Sequence, residues 1–237
     1  MSEQFVVTTF YKFVDLPDFE ERKVKFVKFC KENNIKGTIL LGLEGLNSTL
    51  TGARQDIDAF YQFITSMPEF SDLDFKESLC PYMPFRKLKV RLKHEIVKID
   101  VKNLSLKERG RYLDAKEWND LIKNPATKVI DTRNDYEVVF GTFQNAIDPK
   151  IRNFSDLPEW VESNFKDTPK DTPIAMFCTG GIRCEKSTAW MLEQGYTNVY
   201  HLEGGILKYF EETKDSENLW NGRCFVFDDR VAVNKDL

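Results

Sequence analysis

The chain has 237 residues, enough for one large domain or two small ones, and its 41% hydrophobic and 30% charged content excludes a disordered or fibrous polymer. No window approaches the ~18 consecutive apolar residues of a membrane-spanning helix; the longest apolar patch, 38–43, is interrupted by Gly42 and closed by Glu44, so no membrane is expected as a partner. With 34 basic against 38 acidic residues the net charge is −4, which argues against binding polyanions through bulk charge alone. The start, Met1-Ser2-Glu3-Gln4, lacks a basic region followed by a long apolar core, so the expected location is cytoplasmic. The cysteines, Cys30, Cys80, Cys178, Cys184 and Cys224, are odd in number and scattered, with no Cys-x-x-Cys pair. Thiol chemistry in a reducing compartment fits them better than a disulfide framework, and no metal site is expected.

Residues 5–14, Phe-Val-Val-Thr-Thr-Phe-Tyr-Lys-Phe-Val, are dense in β-branched and aromatic types and predict a buried strand. Asp18 stands where a helix cap belongs; Phe19, Val24, Val27 and Cys30 then share one face up to Asn33-Asn34, which makes Cys30 a core thiol. Residues 36–41 and 47–51 predict two short strands around the turn Gly42-Leu43-Glu44-Gly45. A helix over 53–67 follows, with Ile57, Phe60, Phe63 and Ile64 at helical spacing, and a strand over 88–99 closes the set. Strand, helix, strand, strand, helix, strand is the ferredoxin-like split βαβ order. Residues 1–100 are therefore expected to form an α+β domain with both helices on one face of an antiparallel sheet.

In the last of those strands Lys87, Lys89, Arg91 and Lys93 alternate with Leu88, Val90 and Leu92, and period two places the four cations on one face. With Arg86 and Lys98 the stretch 86–98 holds six basic residues against one acid, Glu95. Two readings stand: a solvated sheet face whose charges salt disperses, or a stripe that tracks phosphates without reading sequence. A similar sheet occurs in acylphosphatases, whose chemistry needs a fixed cation for the phosphoryl group, and between Lys36 and Arg54 there is none. Glu44 and Asn47 accordingly read as a polar loop and an αL-tolerant hinge, and the domain as one of recognition.

Residues 101–111 are polar and basic without hydrophobic period and form the expected linker. Beyond them the pattern alternates: helix 114–122 around Trp118, strand 128–131, helix 158–164, strand 173–178, helix 185–194, strand 198–202 and helix 206–212. This predicts an α/β domain over 112–215 with a mainly parallel sheet, followed by a C-terminal segment, 216–237.

The segment 174–186 reads as an apolar strand ending in Cys178, then the turn Thr179-Gly180-Gly181-Ile182-Arg183, then a helix. The glycines let successive N–H groups curl inward and the helix adds its positive end, so the turn is a nest for an anion. Placed there, Cys178 should ionise near neutral pH and act as a nucleophile, with Arg183 as a permanent cation beside it; the same cradle would hold a persulfide. Cys184 is either a packed thiol of the first helical turn or a resolving cysteine. Asp131-Thr132-Arg133 ends another strand, with Glu137, Gly141 and Ala146 spaced behind it, and Asp131, Arg133 and Glu137 are assigned supporting roles. His94 and His201 fall in separate domains, so no Cys-His pair is expected, and Cys224 reads as core. Trp118, Trp160, Trp190 and Trp220 read as packing residues in preference to base-stacking platforms.

Residues 112–213 resemble a rhodanese domain, whose loop runs here from Cys178 to Arg183. Dual-specificity phosphatases use a loop one residue longer to seat phosphate, so the shorter turn resembles the sulfur-handling form. Ordinary rhodaneses carry Gly-His-Ile where this chain has Gly141-Thr142-Phe143. Glu44-Gly45-Leu46-Asn47-Ser48-Thr49, 85–97, Asp131-Thr132-Arg133-Asn134-Asp135-Tyr136-Glu137, 178–186, 201–209 and 220–233 together resemble the tRNA uridine(34) hydroxylases, rhodanese-like proteins with an acylphosphatase-like front domain. The resemblance implies a monooxygenase-type enzyme that 5-hydroxylates the wobble uridine, with molecular oxygen as co-substrate, Cys178 essential, and the anticodon arm of tRNA as partner. It leaves a sulfur donor or reductant as a further partner, and no organic cofactor is evident. Arg86, Lys87, Lys89, Arg91 and Lys93 become the expected tRNA contacts. A sulfurtransferase acting without RNA, and a redox sensor built on Cys178 and Cys184, are the competing readings of the same loop. Many relatives continue into a cysteine-rich tail past the segment resembling Cys224-Phe225-Val226-Phe227-Asp228, whereas this sequence stops at Leu237.

Overall fold

The computed structural model describes residues 4–235, so Met1–Glu3 at the start and the last two residues of the C-terminal segment lie outside the described residues. The chain divides into two compact units: Met1–Val97 with Asp228–Arg230, and Lys98–Phe227 with Val231–Leu237.

In the first unit β1 (Phe5–Phe13), α1 (Phe19–Glu32), β2 (Lys36–Gly42), β3 (Gly45–Gly52), α2 (Arg54–Thr65), β4 (Lys76–Cys80) and β5 (Leu88–Leu92) follow in order. The sheet order is β4-β1-β3-β2-β5. The first four strands, antiparallel throughout, are the expected ferredoxin-like sheet. Its closing strand, however, is β4, paired with β1. The basic strand is a fifth one on the opposite edge, parallel to β2, and it ends at Leu92 instead of Ile99. Sequence hides β4 because Lys-Glu-Ser-Leu-Cys is mostly polar, as an edge strand tolerates. Helix α2 buries Ile57, Phe60 and Ile64 as its spacing requires, each stabilising the core by roughly 2 kcal/mol. Helix α1 buries Cys30 as expected but differs in its other face residues: Val24 is 70% exposed and Phe26 buries in its place, with Arg22 bonded to Asp18 and Glu69. The Asp18 carboxylate thus serves Arg22 and caps no backbone amide. Glu44 accepts from the Ile96 amide at 2.7 Å and Asn47, inside β3 and not at a hinge, donates to the Ile96 carbonyl at 3.2 Å. These two polar residues fasten the chain after β5.

In the second unit the elements are β6 (Arg111–Leu113), α3 (Ala115–Ile122), β7 (Lys128–Asp131), α4 (Asp135–Val138), β8 (Gly141–Phe143), α5 (Leu157–Asn164), β9 (Ile174–Phe177), α6 (Ile182–Glu193), β10 (Val199–Leu202), α7 (Gly205–Glu212), β11 (Trp220–Gly222), β12 (Cys224–Phe225) and β13 (Ala232–Val233). The sheet β6-β10-β9-β7 is wholly parallel. β9 is central and buried along its length, which is why Ile-Ala-Met-Phe carries no polar residue. Arg111, expected in the linker, opens β6. Helix α3 is capped by Asp114, whose side chain accepts from the Glu117 amide at 2.8 Å. Trp118, Phe143, Phe177 and Tyr209 meet in the core on one side of the sheet. Apart from Asp228–Arg230, which belong to the first unit, the C-terminal segment joins this one: β11 pairs with β8, and β12 with β13. Among the described residues no helix is long and apolar enough to cross a membrane.

Candidate active site

A parallel sheet with right-handed crossovers leaves a crevice at the carboxyl ends of its strands, and β9 delivers Cys178 there. The turn after it is held from behind. The amides of Ile206 and Leu207, at the start of α7, donate to the carbonyls of Cys178 and Thr179 at 3.0 and 3.1 Å. With its carbonyls so engaged, the turn's own N–H groups face the sulfur, and the Gly181 amide donates to Cys178 Sγ at 3.1 Å. This clasp requires glycine at 205. Its φ is +68°, and a Cβ there would lie 2.5 Å from the Cys178 carbonyl oxygen and 2.6 Å from the Gly181 nitrogen. Gly181 itself takes φ 96° and lets α6 begin at Ile182, three residues before the predicted start. Arg183 and Cys184 therefore occupy its first turn, where the helix dipole favours an anion.

Cys178 is 1% exposed, and burial alone would push its thiol up. Opposing this, the Cys184 thiol hydrogen-bonds the Cys178 sulfur, the Arg183 charge faces it, and the Arg183 and Cys184 amides add their dipoles. Together they outweigh burial and bring Cys178 down from 9.0 to about 6. For Cys184 the same pairing acts in reverse: burial, then the bond to Cys178, then the charge on Cys178 hold its proton on well above the usual thiol range. Thr132 completes the pair, donating its hydroxyl to the Phe177 carbonyl at 2.9 Å and standing 3.8 Å from Cys184 Sγ. The two thiols are thus unequal, one a thiolate and the other its proton donor. Cys30 and Cys224 are buried with thiols pushed up to about 12 by desolvation, as core cysteines are.

Arg183, expected as a permanent cation beside the turn, is paired with one of the residues expected to support the site. Glu137, fully buried on α4, binds it bidentately at 2.5 and 2.8 Å. Glu137 is fixed in turn by the backbone of Asn134: its carboxylate accepts from the Asn134 amide at 3.1 Å and its own amide donates to the Asn134 carbonyl at 2.9 Å. Asp131 and Arg133 form a second ion pair, both wholly buried, with bonds of 2.9 and 2.6 Å. Arg133 also donates to the Gly141 carbonyl at 2.6 Å and lies 5.0 Å from the Trp220 ring centroid, while Thr142 donates to Asp131 at 2.8 Å. Such a network leaves no free charge and fixes the loops that carry Glu137. Thr179, Gly180, Gly181, Ile182 and Arg183, together with Glu137, are thereby gathered around Cys178. Arg86, Lys87, Lys89, Arg91 and Lys93 are exposed on the first unit, with Leu88 and Val90 turned to its core as period two requires. Sequence reasoning missed Thr132, the α7 amides and Gly205; the Gly204-Gly205 pair opening a helix was the available signal. Among the described residues no group of His, Cys, Asp and Glu side chains is arranged to hold a metal ion.

Two family models match, a UPF0176 acylphosphatase-like domain over residues 5–96 and a rhodanese-like domain over 114–212. A curated relative from Picosynechococcus, named tRNA uridine(34) hydroxylase, is 50% identical over 99% of this chain and 79% of its own length. One of the same name from Wolbachia pipientis is 51% identical over 98% of this chain and 82% of its own. Among solved structures, a rhodanese-related protein from Thermoplasma volcanium is 29% identical, covering 44% of this chain and 93% of that one with a TM-score of 0.34.

Proposed function

The chain belongs to the tRNA uridine(34) hydroxylase family, and from that premise we propose that it 5-hydroxylates the wobble uridine of cytoplasmic tRNA with Cys178 as its nucleophile. The observation that carries this reading is the buried Cys178 sulfur, accepting from the Gly181 amide at 3.1 Å and flanked by the Cys184 thiol and a Glu137-compensated arginine, which together hold it below the usual thiol range.

The uracil ring is electron-poor at C6. Addition of the Cys178 thiolate there places negative charge on C5 and the C4 carbonyl oxygen, and the amides around the turn stabilise the charge that moves with the sulfur's electrons. The enolate carbon can then form a C–O bond with molecular oxygen, giving a C5 hydroperoxide after protonation. Two electrons and two protons from a reductant, of which a thiol is the simplest class, cleave the O–O bond to leave a C5 hydroxyl and water. Loss of the C5 proton and departure of the Cys178 thiolate restore the double bond. Because Cys178 is 1% exposed, the sulfur must become more accessible before the base can reach it. The exposed cations of the first unit, on this reading, hold the phosphates of the anticodon arm.

The test is mass spectrometry of nucleosides from tRNA incubated with wild-type protein or Cys178→Ala under isotopically labelled oxygen. Labelled 5-hydroxyuridine with wild type alone is the expected result. Product retained by Cys178→Ala overturns the mechanism, and cyanide-dependent thiocyanate release without hydroxyuridine moves the assignment to sulfurtransfer.

A further inference from the structure

The four tryptophans do not face solvent as stacking platforms: Trp118, Trp190 and Trp220 are buried, and Trp160 is half-buried against Phe165. Other aromatics do. In the second unit Phe227 is 56% exposed and Tyr136 44%, with the half-buried Phe225 ring between them. Tyr136 meets Phe225 edge-to-face at 5.5 Å, and Phe225 meets Phe227 edge-to-face at 5.1 Å. The Arg183 guanidinium lies 6.0 Å from the Phe227 ring centroid. Arg183 is the residue whose charge helps to ionise Cys178, so this aromatic row begins one side chain from the nucleophile.

The row is built, not loose. Phe225 is in β12, paired with Ala232 of β13, and the Val226 amide donates to the Val231 carbonyl at 2.9 Å, which holds Phe227 just beyond the ladder. Val231 adopts φ 64°, a left-handed conformation that β-branched residues avoid and that the closing hydrogen bond imposes. Asn134 donates to the Tyr136 hydroxyl at 3.0 Å and fixes that ring. Phe227, 56% exposed and with the Arg183 guanidinium over its ring, offers solvent an aromatic surface next to a cation. Unstacked bases of single-stranded RNA are recognised by aromatic faces and arginine planes in this way.

We propose that Phe227 and Tyr136 form a nucleobase-stacking site beside the Arg183 end of the Cys178 turn, taking an unstacked base of the anticodon loop and thereby positioning the uridine toward the sulfur. The proposal rests on the tRNA reading above and adds the residues that hold the base. Both are positioning residues, acting on the substrate's approach and not on the bonds that change.

The experiment compares wild type, Phe227→Leu and Phe227→Trp in the full chain, with an anticodon stem-loop RNA as probe. It reads binding by fluorescence anisotropy, KM and kcat for 5-hydroxyuridine formation, and the Cys178 pKa from thiolate absorbance. Removing a base–aromatic stack is expected to weaken binding and raise KM about ten- to a hundredfold in Phe227→Leu, with kcat less changed and Phe227→Trp restoring both. An unchanged affinity and KM in Phe227→Leu overturns the proposal. Equal losses in both variants together with a displaced Cys178 pKa overturn it as well, because the ring then only shields the Arg183–Glu137 pair. If wild type forms no hydroxyuridine, the functional reading fails separately, and the anisotropy arm still decides whether Phe227 holds the base.

Discussion

Replacing Cys184 with alanine tests whether one buried thiol sets the acidity of the other. Bringing Cys178 from 9.0 to about 6 corresponds to roughly 4 kcal/mol of net preference for the thiolate. Burial opposes that preference, and the Cys184 hydrogen bond is the foremost contribution in its favour. A hydrogen bond to a charged acceptor contributes about 1–3 kcal/mol, and a thiol is a weak donor, so about 1 kcal/mol is the share expected here. Cys184→Ala should therefore raise the Cys178 pKa by about one pH unit, while Cys184→Ser, which keeps a donor, should hold it near the wild-type value. The assay is ultraviolet thiolate absorbance against pH, with Cys178→Ser as the blank. Stability should follow with a defined sign. A depressed pKa makes the native thiolate stabilising above the unfolded value of 9.0, and this contribution is lost as pH falls through about 6. Unfolding free energy should thus rise with pH between those limits, less so in Cys184→Ala. A Cys178 titration midpoint unmoved in Cys184→Ala would refute the reasoning and leave Cys184 as packing alone.

Glu137→Ala strands the buried Arg183 charge and should cost about 3–5 kcal/mol in chemical denaturation, far more than loss of an exposed ion pair such as Arg54–Asp58. Gly205→Ala should destabilise by about 1–3 kcal/mol and remove most hydroxylation, because its Cβ would meet the backbone of the Cys178 turn; denaturation and product analysis read the two effects. Lys89→Gln with Arg91→Gln should weaken tRNA binding and flatten its log–log salt dependence by roughly 0.8 for each phosphate that is no longer neutralised, leaving the Cys178 titration unchanged. An unaltered salt slope would make the β5 cations a solvated face.

Much of this molecule is legible in its sequence because local rules decide it. Period-two and helical spacing placed β1, α2, β9 and α6 within a few residues, and an apolar strand running into Thr-Gly-Gly marked Cys178 as the residue cradled by turn amides, because glycines after a strand let those N–H groups curl inward. Alternation in 87–93 correctly put Leu88 and Val90 against the core and the cations in solvent, but Leu92, at the end of the strand, is 37% exposed. Tertiary structure decided what has no local signature. β4 is an edge strand with little to bury, so its hydrogen bonds to β1, and not its composition, define it, and the basic strand consequently lies on the other edge. The sequence assigns Arg183 as a cation and Glu137 a supporting role, but only the fold joins them across 46 residues, with one pair of bonds at 2.5 and 2.8 Å. Cys184 reads as either a packed thiol or a resolving cysteine until α6 begins three residues early and turns its thiol onto Cys178. A residue's type limits which proton, charge or ring it can offer, but the partner that sets its pKa or leaves its face open is supplied by distant segments, and only packing brings those together.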